Sequence, residues 1–133
     1  MDQELFELCI EVHKRFPGWN DTLACWERTA GIPEGEPYIA YPELERLYGL
    51  WGTQELKTRT PLYTTDYLLE KLPQDLVNDN EVHPFTLYRG KYSKQWLAGY
   101  EGYFGGQNDP SDTPLKALLK LVIALVDAGE LSR

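Results

Sequence analysis

The chain is poor in the residues that most often carry chemistry: two histidines, two cysteines and one methionine in 133 residues. It contains no G-x-S-x-G, no H-E-x-x-H, no phosphate loop and no dinucleotide fingerprint. The common hydrolase, zinc-protease and nucleotide-binding patterns are therefore missing. Cys9 and Cys25 are too far apart for C-x-x-C spacing, which removes the usual zinc and redox arrangements. No apolar run approaches the roughly 20 residues that a membrane span needs. The first residues, MDQELFELC, are acidic and amphipathic, whereas a secretory leader is basic and then apolar. A cytoplasmic protein with reduced thiols is expected, although a Cys9–Cys25 bridge stays open. Cations are also scarce, 13 Lys and Arg against 21 Asp and Glu, for a formal net charge of −8. Nucleic acid is not an expected partner, because such binding depends on clustered Lys and Arg. A membrane is not expected either.

What the chain does have is a strong C-terminal helix signal. In Asp112-Thr113-Pro114, Thr113 is a natural N-cap and Pro114 suits the first helical position. Leu115, Leu118, Leu119, Val122, Ile123 and Val126 recur at helical spacing, and Leu121 and Leu125 widen the stripe. Lys116, Lys120 and Asp127 form the remaining polar line. A helix apolar around most of its girth belongs in a core. Gly129 marks the stop.

Upstream, Leu5, Leu8, Cys9, Val12 and Phe16 predict an amphipathic helix over residues 2–16, ended by Pro17-Gly18. Residues 22–29 read as strand or short helix. A hairpin through the turn-rich AGIPEGEP to Tyr38–Tyr41 is preferred. Pro42 to Leu50 suggests a helical turn or two, and Gly52 to Pro61 a loop. Thr64 or Thr65 would cap a short helix that Pro73 stops. Gln74 to His83 reads as loop around Asn78-Asp79-Asn80. Phe85–Lys91 and Gln95–Phe104 look like paired strands across the loop Gly90–Lys94. Helices and strands mix without βαβ alternation. The expected fold is therefore a single α+β domain over residues 1–133. In it, an antiparallel sheet of hairpins packs against the long C-terminal helix, with a second helix at the N-terminus.

The run from Tyr63-Thr64-Thr65-Asp66 and Leu68-Leu69, through Ala98-Gly99-Tyr100, to Asp112-Thr113-Pro114 and Leu118-Leu119 resembles small uncharacterised phage and prophage proteins. Among these is the phage α/β sandwich domain. The likeness covers roughly residues 62–129. It implies a layered helix-and-sheet arrangement and brings no catalytic residue with it.

Residue by residue, little points to catalysis. His13 falls beside the apolar stripe of its helix, and His83 precedes Pro84; a structural or solvated role is expected for each. Asn108, Asp109, Ser111 and Asp112 offer oxygens for calcium, but Pro110 interrupts any EF-hand pattern, and turn formation and capping explain them. Asp109 and Asp112 would also repel phosphate near Gly105-Gly106. Glu34, Glu36, Glu43, Glu45, Asp66 and Glu101 read as surface acid. No catalytic, cofactor-binding or metal-binding residue is assigned, and no cofactor is expected.

The feature left over is aromatic density: four Trp, nine Tyr and four Phe. Tyr and Trp favour interfaces, since each joins a large apolar body to a polar tip. Tyr88, Tyr92, Trp96, Tyr100 and Tyr103 are the candidate interaction surface. The alternative is that these rings pack on the final helix. The functional expectation is a small non-enzymatic interaction protein, possibly phage-derived, meeting a protein partner or itself through an acidic, aromatic-bearing surface. The alternative is a small-molecule or carbohydrate binder, or a minor enzyme, with an aromatic-lined cleft and a carboxylate such as Glu101.

Overall fold

The computed structural model describes residues 2–29, 35–43, 57–103 and 109–132. Among the described residues, three helices and two antiparallel three-stranded sheets give an α+β fold with a helix near each end. The chain divides into two compact units, Met1–Tyr63 and Thr64–Arg133.

In the first unit, α1 spans Gln3–Arg15. Asp2 caps it by accepting a hydrogen bond from Leu5 N at 3.1 Å. Phe6, Cys9 and Val12 are buried at a spacing of three, which keeps them on one helical face. The sheet follows, with β1 (Cys25–Thr29) between β2 (Tyr38–Ala40) and β3 (Lys57–Pro61). Trp26 meets Phe6 edge-to-face at 5.4 Å, so this strand face carries α1. Phe16 stacks on Trp19 at 4.0 Å, and the buried Tyr63 donates its hydroxyl to the Trp19 carbonyl at 2.8 Å. Both cysteines are buried, and no disulfide joins them. Burial pushes the Cys9 thiol up, against the smaller opposing pull of hydrogen bonds with Tyr63 and Trp26.

The preferred hairpin between β1 and β2 is present, with Cys25 opposite Ala40 and Glu27 opposite Tyr38. The loop expected over 52–61 is corrected at its end, because Lys57–Pro61 pairs with β1 over five residues. Lys-Thr-Arg-Thr-Pro shows no apolar alternation, so its neighbour strand, not its own pattern, makes it a strand. The helical turn expected over 42–50 falls largely on residues 44–50, outside the described residues.

In the second unit, Thr64 caps α2 (Thr65–Lys71) by accepting from Tyr67 N at 3.1 Å. Three strands then run as a meander: β4 (Asp75–Asn78), β5 (Glu81–Arg89) and β6 (Trp96–Tyr100). The expected loop over 74–83 is thus also corrected. Asp79 and Asn80 both have left-handed φ, 52° and 64°, as a two-residue hairpin turn of the type favoured by strand twist demands. The turn signal in Asn78-Asp79-Asn80 was visible, and the structure shows that it joins two strands.

Pro84 sits inside β5, where a missing N–H should break the ladder. The Glu101 amide donates to the Pro84 carbonyl at 2.9 Å, but Pro84 has no N–H with which to return the bond. The His83 ring supplies that donor, its Nδ1 lying 2.8 Å from the Glu101 carbonyl. This contact fixes the imidazole with its proton on Nδ1. Gly102 has a φ of 80°, and a Cβ there would come 3.1 Å from His83 Nδ1. The turn can therefore close around the ring only with glycine at that position. His83 has a structural role, on a strand and not in a loop.

Helix α3 (Pro114–Asp127) begins as its sequence dictates, with Thr113 accepting from Lys116 N at 3.2 Å. Gly129 follows it at a φ of 80°. Leu118, Leu119, Val122 and Leu125 are fully buried, and the helix packs on β6 and α2. At about 2 kcal/mol for each buried aliphatic side chain, this one element supplies a large part of its unit's apolar stabilisation. Lys116 departs from the expected polar line. It is buried, with its ammonium 3.0 Å from the Asp112 carboxylate.

Candidate functional surface

The strand register divides the second sheet into two unlike faces. Leu76, His83, Phe85, Leu87, Ala98 and Tyr100 share the first, as the pairs Leu76–His83, Leu87–Ala98 and Phe85–Tyr100 require. Leu76, His83, Ala98 and Tyr100 are buried there. The second face carries Asp75, Val77, Val82, Pro84, Thr86, Tyr88 and Leu97, through the pairs Asp75–Pro84, Val77–Val82 and Tyr88–Leu97. That face is open: Val77 is 66%, Val82 62% and Tyr88 54% exposed. An antiparallel sheet with one solvated face normally alternates apolar with polar residues. Here much of the outward set is apolar.

The five aromatic residues singled out in the sequence are not one cluster. Tyr88 lies on the open face, and Tyr92, at 89% exposure, stands at the tip of the β5–β6 hairpin. Trp96 and Tyr103 are half-buried. Tyr103 stands 5.9 Å from the His83 ring, and burial followed by the Glu130 charge raises its phenol above the ordinary value. Tyr100 belongs to the core and not to the surface. It is 3% exposed, meets Phe85 edge-to-face at 5.6 Å and donates its hydroxyl to the Pro73 carbonyl at 2.6 Å. Its even-numbered position on β6 turns it toward the helix side, as it does Ala98.

Burial, followed by the nearby Asp75 charge, pushes the Tyr100 phenol up to about 12. Because the folded value lies above the unfolded one of about 10, this group's contribution to stability is complete below that pH. It is lost as pH rises from about 10 toward 12, at roughly 1.4 kcal/mol per unit. Tyr100→Phe should flatten that window and lower neutral-pH stability by about 1–2 kcal/mol through the orphaned Pro73 carbonyl. Urea unfolding from pH 7 to pH 11.5, beside a tyrosinate absorbance titration, measures both effects.

The hairpin tip itself is basic. From Val82 through Tyr100 the chain has no carboxylate but carries Arg89, Lys91 and Lys94. All three are exposed and make no ion pair among the described residues. Gly90 N donates to the Gln95 carbonyl at 2.7 Å, and Arg89 Nε donates to the Lys94 carbonyl at 3.3 Å. The Lys91 ammonium stands 5.7 Å from the Tyr92 ring centre. Lys94 is left-handed, with a φ of 56°. The hairpin tip therefore holds Lys91, Lys94 and the Tyr92 ring, while Arg89, opposite Trp96, lies on the other sheet face from Tyr88.

Sequence reasoning missed the most polar place in the first unit. Glu27 is 1% exposed on β1 and pairs with Arg59 on β3, Nε to Oε1, at 2.9 Å. Arg59 also lines a cleft of about 370 Å³ with His13, Asn20, Thr22, Leu23, Cys25, Pro42, Glu43 and Pro61. The cleft is large enough for a small ligand. None of those lining residues is Trp, Tyr or Phe, and Glu101 belongs to the other unit, on an exposed turn. The only sequence signal for the pair was a charged residue inside Cys25–Thr29, which means little until strand pairing brings Arg59 opposite.

Among the described residues no group of His, Cys, Asp and Glu is arranged to hold a metal ion, and no helix is long and apolar enough to cross a membrane. No protein-family model, no curated protein and no solved structure matches the chain.

Proposed function

We propose that this is a non-enzymatic interaction protein that binds a protein partner through the open face of its C-terminal sheet. The observation that carries the reading is the exposure of Val77, Val82 and Tyr88 on one face, continued by Tyr92 at the hairpin tip. A solvated face of an antiparallel sheet is normally polar, so apolar side chains concentrated on this one support an interaction role. Tyr adds a large contact area with few rotatable bonds. A phage-like origin belongs to the same reading and is supported by the sequence likeness over residues 62–129.

The test is a comparison of the wild type with Val82→Arg/Tyr88→Arg, immobilised and challenged with lysate, then examined free by sedimentation. Both substituted positions are exposed, so the double variant should remain folded. The wild type is expected to retain a defined protein, or to self-associate, and the variant to lose this. Identical retention by both proteins, or none by either together with a monomeric wild type, would sink the reading. The 370 Å³ cleft is what supports the second reading, a small-molecule binder.

A further inference from the structure

We infer that the partner of the open face is a second copy of this chain, packed face to face about a twofold axis near Tyr88, with each hairpin tip over the acidic end of the other copy's sheet. The inference rests on the binding role proposed above and adds the identity of the partner. The strand register places the charges. Asp75 lies opposite Pro84 on one side, and the Glu101 amide bonds the Pro84 carbonyl from the other, so two exposed carboxylates flank Pro84. Val77 and Val82 pair just beyond them, toward the β4–β5 turn. At the opposite end the hairpin closes in a tip that carries Lys91, Tyr92 and Lys94. Both lysines are exposed and lie past the last strand pair, Arg89–Trp96, where a flexible four-carbon stem can turn toward either face. Arg89 belongs to the other face and takes no part. Asp75, Glu101, Lys91 and Lys94 make no ion pair among the described residues.

Two acids at one end and two cations at the other make the face its own complement. Pro84 and Lys91 stand about 24 Å apart along the strand. The midpoint falls at the level of Tyr88 and Leu97, which pair across β5 and β6. A twofold axis there sets the lysines of each copy over Asp75 and Glu101 of the other. It also carries Tyr92, 89% exposed, onto the exposed Val77–Val82 pair of the other copy. A twofold interface requires this reciprocity, in which each patch meets its counterpart twice. Sheets packed face to face keep their strands nearly aligned, so both contacts form together. The alternative twofold arrangement, with strands parallel, would set lysine on lysine and acid on acid, which charge disfavours. The net charge of −8 on each copy opposes association. At physiological ionic strength, however, charges beyond about 8 Å are largely screened, and the facing groups dominate. Nine residues of β5 and its two neighbour strands give a face of at most about 30 by 14 Å, or roughly 400 Å² on each copy. A standard complex buries about 800 Å² on each partner. The dimer is therefore weak, with a dissociation constant on the order of 10–100 µM.

The experiment is sedimentation equilibrium of the full chain at concentrations up to about 500 µM, where mass action populates a weak dimer. The wild type is expected to dimerise. Lys91→Glu/Lys94→Glu and Asp75→Lys/Glu101→Lys should each weaken the dimer by about tenfold or more, with unchanged circular dichroism. Mixed in equal amounts, the two variants should dimerise with each other about as well as the wild type does, because each contact again joins a basic to an acidic group. Should a reversed variant fail to fold, Lys91→Gln/Lys94→Gln and Asp75→Asn/Glu101→Gln replace it, each with an expected loss of about threefold or more. A wild type that stays monomeric over this range overturns the inference. Retention of a lysate protein by the wild type, but not by Val82→Arg/Tyr88→Arg, would then still leave the open face as a binding surface. A dimer that survives both charge reversals, or two monomeric variants that do not rescue each other, also overturns it. A dimer unaffected by Val82→Arg/Tyr88→Arg would overturn the open-face reading itself.

Discussion

Leu118→Ala is expected to destabilise the protein by about 3–5 kcal/mol, the upper range for a buried leucine truncation. Leu118 is fully buried in α3, with Leu119, Val122 and Leu125 also at no exposure. The alanine removes the transfer free energy of the lost carbons and leaves a cavity that a close-packed interior fills only in part. Proteins of this size are stable by only about 5–15 kcal/mol in total, so the loss is large. Urea unfolding followed by far-ultraviolet circular dichroism measures it. A loss below about 1 kcal/mol would mean that α3 is not the centre of its unit.

The second large effect is expected at Arg59. Its Nε lies 2.9 Å from an oxygen of Glu27, whose side chain is 1% exposed, while that of Arg59 is 56% exposed. Arg59→Met takes a countercharge from a carboxylate that water hardly reaches. Breaking a buried pair from one side costs about 3–5 kcal/mol. The half-exposed arginine places the expected loss near the lower figure, about 2–3 kcal/mol. Adding Glu27→Met should restore much of it, because a pair of apolar residues needs no compensation. The contrast is Glu11, which accepts from Arg15 at 2.9 Å and Lys14 at 3.3 Å in open solvent. The Arg15 and Lys14 hydrogen bonds hold its carboxyl below the usual value, yet exposed pairs of this kind contribute little. Chemical denaturation of the two single variants and the double variant decides the matter. A double variant as unstable as Arg59→Met alone would contradict the electrostatic explanation.

These two sites also show where the sequence was readable. Helix α3 was readable because local and tertiary signals agree: a Thr-Pro start, a glycine stop, and an apolar girth that has only one sensible place to go. The cap of α2 at Thr64 and the β5–β6 hairpin were readable for the same reason. Strand β3 was not, because Lys57 to Pro61 is polar and becomes a strand only by pairing with β1. Strand β4 and the first residues of β5, Glu81–Pro84, were hidden by Pro84, which normally argues against an interior strand. The His83 ring replaces the donor that proline lacks, and no spacing rule announces that substitution. Tyr100 was assigned to the surface because alternation tells which residues share a face but not which face meets the helix. The Glu27–Arg59 pair joins residues 32 apart in sequence and had no local signature.

The central claim is that Val82 and Tyr88 are outside the core, on a face that nothing in the second unit's own packing requires. The most direct measurement is the urea unfolding free energy of Val82→Lys/Tyr88→Lys, set beside Leu118→Ala. The account expects the double variant to lose no more than about 1 kcal/mol, the scale of strand propensity and exposed-surface changes. A loss of about 3 kcal/mol or more, comparable to Leu118→Ala, would show that these side chains are core and would contradict the account.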